Sequence, residues 1–176
     1  MDGPDAFDRM TSLLDYPMYV VTTRVGDESA GCLVGFASQV SIGPPRFLVG
    51  LSKRNHTYRV AQRADHLAVQ LVPRRHCVLA RLFGSETGDR IDKFARCAWH
   101  SGPTGLPILD DAAGWFVGVV LSRYDVGDHV GFLLEPVAGS APDKFEQLVT
   151  FFDVRDLDPE LSVTPMPIGW PSSSIG

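Results

Sequence analysis

The chain has 176 residues, 44% of them hydrophobic, which is the scale of one domain built on one sizeable core. With 16 basic against 21 acidic side chains the formal charge is -5, so composition provides no electrostatic footprint for a nucleic acid or an anionic membrane. Cys32, Cys77 and Cys97 are odd in number and far apart, which fits neither a disulfide framework nor a CxxC metal knuckle. The N-terminus lacks a basic stretch leading into an apolar one, and no run nears the roughly 20 apolar residues of a membrane span, so the expected location is the cytoplasm.

Phe7, Met10, Leu13 and Leu14 recur at helical spacing, which predicts a short amphipathic helix over residues 5–15 that caps the body. Tyr16-Pro17 ends it. Residues 18–24 (MYVVTTR) are β-branched and strand-like, Gly26-Asp27-Glu28-Ser29 turns the chain, and residues 30–42 return as a second strand. That strand carries Gly31 and Gly35. A glycine inside a strand marks either a bulge or a place where something approaches the backbone closely, and both readings stand here.

Neither Pro44 nor Pro45 can donate to a ladder, and residues 47–51 (FLVGL) resume as a buried strand. This strand delivers the chain into a polar turn of Ser52, Lys53, Arg54, Asn55, His56 and Thr57. Asn55 is the expected N-cap of a helix running through Tyr58, Val60, Ala61 and Ala64, and a polar turn that opens a helix suits an anion. Residues 67–72 (LAVQLV) read as the next strand. Pro73 introduces a helix over residues 75–83 with Val78, Leu79, Leu82 and Phe83 on its apolar side. Residues 84–92 read as a polar loop without the GxxxxGK[ST] phosphate pattern. Lys93-Phe94 and Trp99 stand out in a polar stretch, and residues 102–107 (GPTGLP) force irregular backbone. Residues 115–124 and 129–137, separated by Asp125-Val126-Gly127-Asp128, form the clearest hairpin. Residues 148–152 read as a last strand. From Thr164 the chain is rich in Pro and Ser, so the domain is taken as residues 1–163 and residues 164–176 as a loosely held tail.

The count comes to about seven strands and two or three short helices, with strands in consecutive hairpins. That pattern predicts a mainly β fold, a closed or nearly closed antiparallel barrel with peripheral helices, and not a doubly wound parallel sheet. The histidines 56, 66, 76, 100 and 129 are isolated and no HExxH occurs, so no metal site is indicated. No GxSxG elbow and no GxGxxG after a strand is present either. The polar turn and the glycine-bearing strand leading into it remain as the features able to carry chemistry.

The segment 31–61, GCLVGFASQVSIGPPRFLVGLSKRNHTYRVA, resembles the signature region of the flavin reductase-like family of FMN-binding split barrels. There a Gly-rich strand passes into a small-residue run, an S-[LI]-x-P-P turn, an apolar strand and a polar S-x-x-x-x-T turn. Further matches follow in the same order: Leu79-Ala80-Arg81-Leu82-Phe83 as an LAxxF helix end, Asp92-Lys93-Phe94 as DKF, GLPxL at residues 105–109, and Gly127-Asp128-His129 before the final long strand. The resemblance covers residues 16–138. It implies a split β-barrel that binds FMN, with FAD as the alternative, and uses NAD(P)H as reductant. Hydride passes from nicotinamide to flavin without a side chain acting as acid or base. It also implies a homodimer with the flavin near the interface, and the supply of reduced flavin to a partner monooxygenase.

Carried over by residue, the resemblance implies that backbone groups of Leu33, Val34, Gly35, Phe36, Ala37 and Ser38 line the isoalloxazine ring. Ser52, Lys53, Asn55 and Thr57 surround the phosphate, and Phe83 lies beside the cofactor. His129 either touches the pyridine nucleotide or is a strand-start histidine bonded to its turn. Lys93 and Phe94 either close the mouth of the site or stabilise a subunit interface. The chain departs from the family at Leu33 and Gly35-Phe36-Ala37, where a Thr and a Ser-Ser-Phe run are common, so hydroxyls able to bond the flavin O4 and N5 edge are missing. This departure keeps a second class open, a flavin carrier or redox sensor without turnover.

Overall fold

The computed structural model describes residues 1–85 and 91–157; residues 86–90 of the expected polar loop and the expected tail at 164–176 lie outside the described residues. In chain order the elements are α1 (Gly3–Thr11), β1 (Tyr19–Val25), β2 (Glu28–Val34), β3 (Ala37–Ser41), β4 (Arg46–Ser52), α2 (His56–Ala61), β5 (His66–Leu71), α3 (Cys77–Ser85), β6 (Trp99–Ser101), β7 (Pro107–Leu109), β8 (Gly114–Asp125), β9 (His129–Ser140) and α4 (Phe151–Val154).

Seven strands form one sheet in the order β2-β1-β5-β8-β9-β4-β3, and every neighbouring pair is antiparallel. The two edge strands, β2 and β3, are consecutive in the chain and joined only by Gly35 and Phe36. Such a connection requires the sheet to curl until its edges meet. The connector is held by β4, whose Gly50 N donates to Phe36 O at 2.7 Å as the β3–β4 ladder begins. The curl encloses an interior core of Val21, Cys32, Val34, Val49, Leu51, Leu67, Val69, Val130, Phe132 and Leu134, with Ala61 of α2 packed among them. An open barrel of this kind hides its edges without closing its ladder.

Period-2 alternation sends the neighbouring side chains outward. Val20 and Leu33 join Met18 and Val72 on the outer face, where α3 lays down Leu79, Ala80 and Phe83 and the C-terminal segment adds Val149 and Val154. The two-stranded β6–β7 sheet is pinned on the outside by a buried polar network. Thr22 Oγ1 donates to Pro107 O at 2.6 Å, Gln70 Nε2 donates to Thr22 Oγ1 at 2.9 Å, and Leu109 N donates to Gln70 Oε1 at 2.7 Å. Each partner is satisfied, so the network fixes position without leaving a buried group unpaired.

Four expectations are corrected. The N-terminal helix exists, but Phe7, Met10, Leu13 and Leu14 are all exposed, because helical periodicity reveals a stripe and says nothing of what covers it. The single strand expected over residues 30–42 is two strands broken at Gly35-Phe36. Val78 faces solvent on α3, which instead buries Ala80 beside Leu79 and Phe83. Residues 148–152 form only isolated bridges, Pro73 with Leu148 and Pro17 with Thr150, before a capping box between Thr150 and Asp153 starts α4. Local cap chemistry there outweighs an aromatic, strand-like composition.

Candidate functional site

The polar turn leaves β4 at Ser52, directly opposite His129 at the start of β9. It is tied to the tip of the β8–β9 hairpin by two bonds: Lys53 N donates to Asp128 O at 2.9 Å, and Lys53 Nζ to Asp125 Oδ2 at 2.8 Å. Inside the turn, Arg54 N donates to Ser52 Oγ at 3.3 Å, Asn55 N to Ser52 O at 3.0 Å and Thr57 N to Asn55 Oδ1 at 2.9 Å. Asn55 therefore caps α2 as expected, and the turn is rigid before any ligand arrives. Ser52 and Thr57 are buried, while Lys53 and Arg54 point to solvent. Thr57 is hydrogen-bonded to the Cys32 thiol, whose burial pushes its pKa up to about 11. At neutral pH that thiol is protonated and no nucleophile.

Across the corner, Phe36 is 61% exposed, and its ring centroid sits 5.1 Å from that of His129 at 54°. His129 Nδ1 is 2.7 Å from Asp128 Oδ1, a hydrogen bond that holds the Asp128 carboxyl below its usual range. Gly50 makes this approach possible: a Cβ there would lie 3.1 Å from Phe36 O and 3.3 Å from Phe36 Cβ. The strand break at Gly35-Phe36, the Ser52 turn and His129 thus meet at one corner of the barrel. Leu33 and Val34 are buried in the outer and inner cores respectively, Ala37 is half-buried, and Ser38 is exposed on β3 with its hydroxyl donating to Gln39 O at 3.1 Å.

Both strand glycines admit side chains of this chain. A Cβ at Gly35 would lie 2.7 Å from Tyr16 Cε2 and 3.0 Å from Met18 Sδ; one at Gly31 would lie 2.8 Å from Phe83 Cε1. Tyr16 in turn stacks on Phe151, centroids 4.9 Å apart and 14° from parallel.

Phe83, Lys93 and Phe94 form a second group further along β2. Lys93 is only 4% exposed; its Nζ donates to Phe83 O at 2.9 Å and Gly31 O at 3.3 Å and lies 5.6 Å from the centre of the Phe83 ring. Phe94 sits edge-on to both Phe83 and Trp99. Between this group and α2 opens a cleft of about 470 Å³, lined by Arg24, Glu28, Gly31, His56, Phe94 and Trp99 among others. Strand β2 runs from one group to the other, with Gly31 on it at the cleft and Gly35 just past its end at the corner. His56 was legible as part of the polar turn but was not expected in a cleft; Nε2 lies 3.5 Å from Glu28 Oε1, which its own position in the sequence does not disclose. Arg24 and Glu28 flank the β1–β2 turn that the sequence disclosed, and what it did not disclose is that this turn meets His56 and Phe94 at a cleft. Among the described residues no group of three or more His, Cys, Asp or Glu side chains is placed to hold a metal ion, and no helix is long and apolar enough to cross a membrane.

The family model described as "Flavin reductase like domain" matches residues 10–156. The chain is 33% identical over 140 residues to FMN reductase (NADH) RutF 2 of Rhizobium rhizogenes, covering 77% of this chain and 78% of that protein. It is 31% identical over 114 residues to a probable flavin reductase of Rhizobium meliloti, covering 62% of this chain and 36% of that protein. Several curated relatives are longer, and the chain spans only 36%, 53% and 48% of three of them. A crystal structure of an FMN-binding protein from Thermus thermophilus superposes with a TM-score of 0.69 at 26% identity, covering 73% of this chain and 71% of that one. With a family match spanning nearly the whole described barrel, the chain belongs to the flavin reductase-like family.

Proposed function

We propose that this chain is a flavin reductase that binds FMN where β2 ends, at the corner formed by the Ser52 turn, and reduces it with NADH. The observation that carries this reading is the meeting of the Gly35-Phe36 break, the Ser52 turn and His129 in a chain matched to the family over residues 10–156. The name of the Rhizobium rhizogenes relative favours FMN and NADH over FAD and NADPH.

The residues fit such a cofactor. β2 is an edge strand whose residues Ala30 to Val34 are buried, so the backbone groups that a flat polar ring would reach are those of Gly35 and Phe36 where the strand breaks. Those groups stand in for the hydroxyls absent at Leu33 and Gly35. Near the turn, the Lys53 ammonium and Ser52 hydroxyl hold the phosphate, a point charge and a donor beside a prebuilt loop. Asn55 Oδ1 and the Thr57 hydroxyl set the loop's shape, bonded to Thr57 N and the Cys32 thiol respectively, while the Asn55 side-chain NH2 is left as a further donor to the phosphate. Phe83 and Lys93 brace β2 from behind at Gly31, and Phe94 faces the cleft. When bound, the flavin supplies two-electron chemistry by accepting hydride from the nicotinamide, so no side chain needs to carry a proton. Because the Asp128 carboxylate can only accept, His129 Nδ1 donates to it, which leaves Nε2 to meet the amide edge of the reductant.

The same reading takes residues 1–163 as one domain in the cytoplasm that acts as a homodimer and delivers reduced flavin to a monooxygenase. The exposed Leu121, Tyr124 and Val126 on the β8–β9 hairpin support a second copy as partner. Steady-state NADH oxidation with added FMN, run beside a flavin titration, tests the whole. Saturable turnover supports the reductase. Flavin binding without NADH oxidation selects the carrier or sensor, and absence of flavin binding rejects both.

A further inference from the structure

Phe36 is a large apolar ring left open to water at the centre of the corner. Its backbone is fixed, since Phe36 O accepts from Gly50 N at 2.7 Å, and Ala37 N donates to Gly35 O at 3.1 Å as the chain enters β3. Part of the ring rests on His129, itself braced by Asp128, and the remainder faces solvent. Lys53 and Arg54 follow Ser52, which pairs with His129, so two exposed cations share the corner with the ring; Lys53 pairs with Asp125 at 2.8 Å, and Arg54 helps to hold the Asp128 carboxyl in its charged form. An exposed aromatic face on an anchored backbone, in the same corner as an exposed guanidinium, suits a ligand that is flat at one end and anionic at the other.

Resting on the reading that NADH is the reductant, we propose that Phe36 is a specificity-determining contact for the pyridine dinucleotide. Its open face stacks on a flat base of that ligand while Arg54, distinct from the Lys53 given to the flavin phosphate, attracts the diphosphate. The contact is made by the side chain, and is separate from the backbone groups offered to the flavin.

Phe36→Ala and Phe36→Tyr decide the matter through NADH kinetics, flavin titration, melting temperature and sedimentation. Loss of the ring should raise the KM for NADH about tenfold. Flavin affinity and melting temperature should hold, and Phe36→Tyr should restore most of the KM. Reduced nicotinamide mononucleotide, which lacks adenine, identifies the stacked base: an equal rise in its KM assigns nicotinamide, and a rise with NADH alone assigns adenine. An unchanged KM for NADH overturns the proposal. So does a matching loss of flavin affinity, which moves the contact to the flavin, or conversion of a dimer to monomers, which makes the ring part of a subunit interface. Titrating NAD⁺ into the Phe36→Trp variant gives a readout without turnover, saturable quenching for the contact and none against it. Should the wild type bind no flavin, the reductase reading falls while this titration still decides the nucleotide contact.

Discussion

Lys53 and Lys93 both fall in short motifs that the sequence assigns to one site, yet the fold uses them in opposite ways. Lys53 reaches into solvent and pairs with Asp125, itself largely exposed, across the hairpin tip. Lys93 is enclosed, with its ammonium donating to two main-chain carbonyls, one on β2 and one on α3, and resting over Phe83. A charge in water is free to meet an incoming anion, and its ion pair adds little to stability. A buried charge is expensive unless every proton is used, so its removal damages the fold. The corner at Lys53 is therefore built to bind, and the seam at Lys93 is built to hold β2 in place for binding.

The widest gap between the two regions should come from Lys93→Met. It leaves Gly31 O and Phe83 O without that donor in a dry seam, which costs about 3 kcal/mol, a fall of roughly 6 to 12 °C in Tm by thermal unfolding. An unchanged Tm would mean that Lys93 holds nothing. Gly35→Ser, which restores a hydroxyl common in the family, should cost about 1 to 2 kcal/mol because its Cβ crowds Tyr16 and Met18. Adding Tyr16→Leu should recover part of that loss; no recovery would show that the crowding lies elsewhere. His129→Ala should raise the KM for NADH several-fold, about the worth of one hydrogen bond, with Tm and flavin affinity unchanged. A lowered Tm with unchanged kinetics would reduce His129 to a tie for its turn. The smallest stability effect belongs to Lys53→Met, which should leave Tm where it is. The Lys53 hydrogen bond depresses the Asp125 carboxyl below its ordinary pKa, so the tie is present at neutral pH and fades only as pH falls through that depressed value. A marked fall in Tm at pH 7 would show that the corner, too, is structural.

The barrel's strands were legible because their alternation is local: the β8–β9 hairpin, the Asn55 cap and the run through residues 67–71 need only neighbouring residues to be recognised. The burial of Lys93 was not, since it depends on β2 and α3 closing over a residue distant from both in sequence. Gly31 and Gly35 carried a true signal of close approach, and what approaches is Phe83 and Tyr16. The sequence could not name those partners, because outer-face packing is fixed only after the sheet has curled. The same limit explains Phe7 and Met10, whose helical stripe is real and whose expected seat on the body is missing.

The central claim is that the corner at Ser52 holds the phosphate of FMN, and affinity for FMN against riboflavin tests it most directly. Fluorescence titration of both ligands into the wild type and into a Ser52→Ala, Lys53→Met double variant separates phosphate binding from ring binding. FMN should bind the variant more weakly by about 1 to 3 kcal/mol, the worth of a charge-assisted pair of bonds, while riboflavin binds both proteins alike. Equal losses for the two ligands, or none for either, would contradict the account.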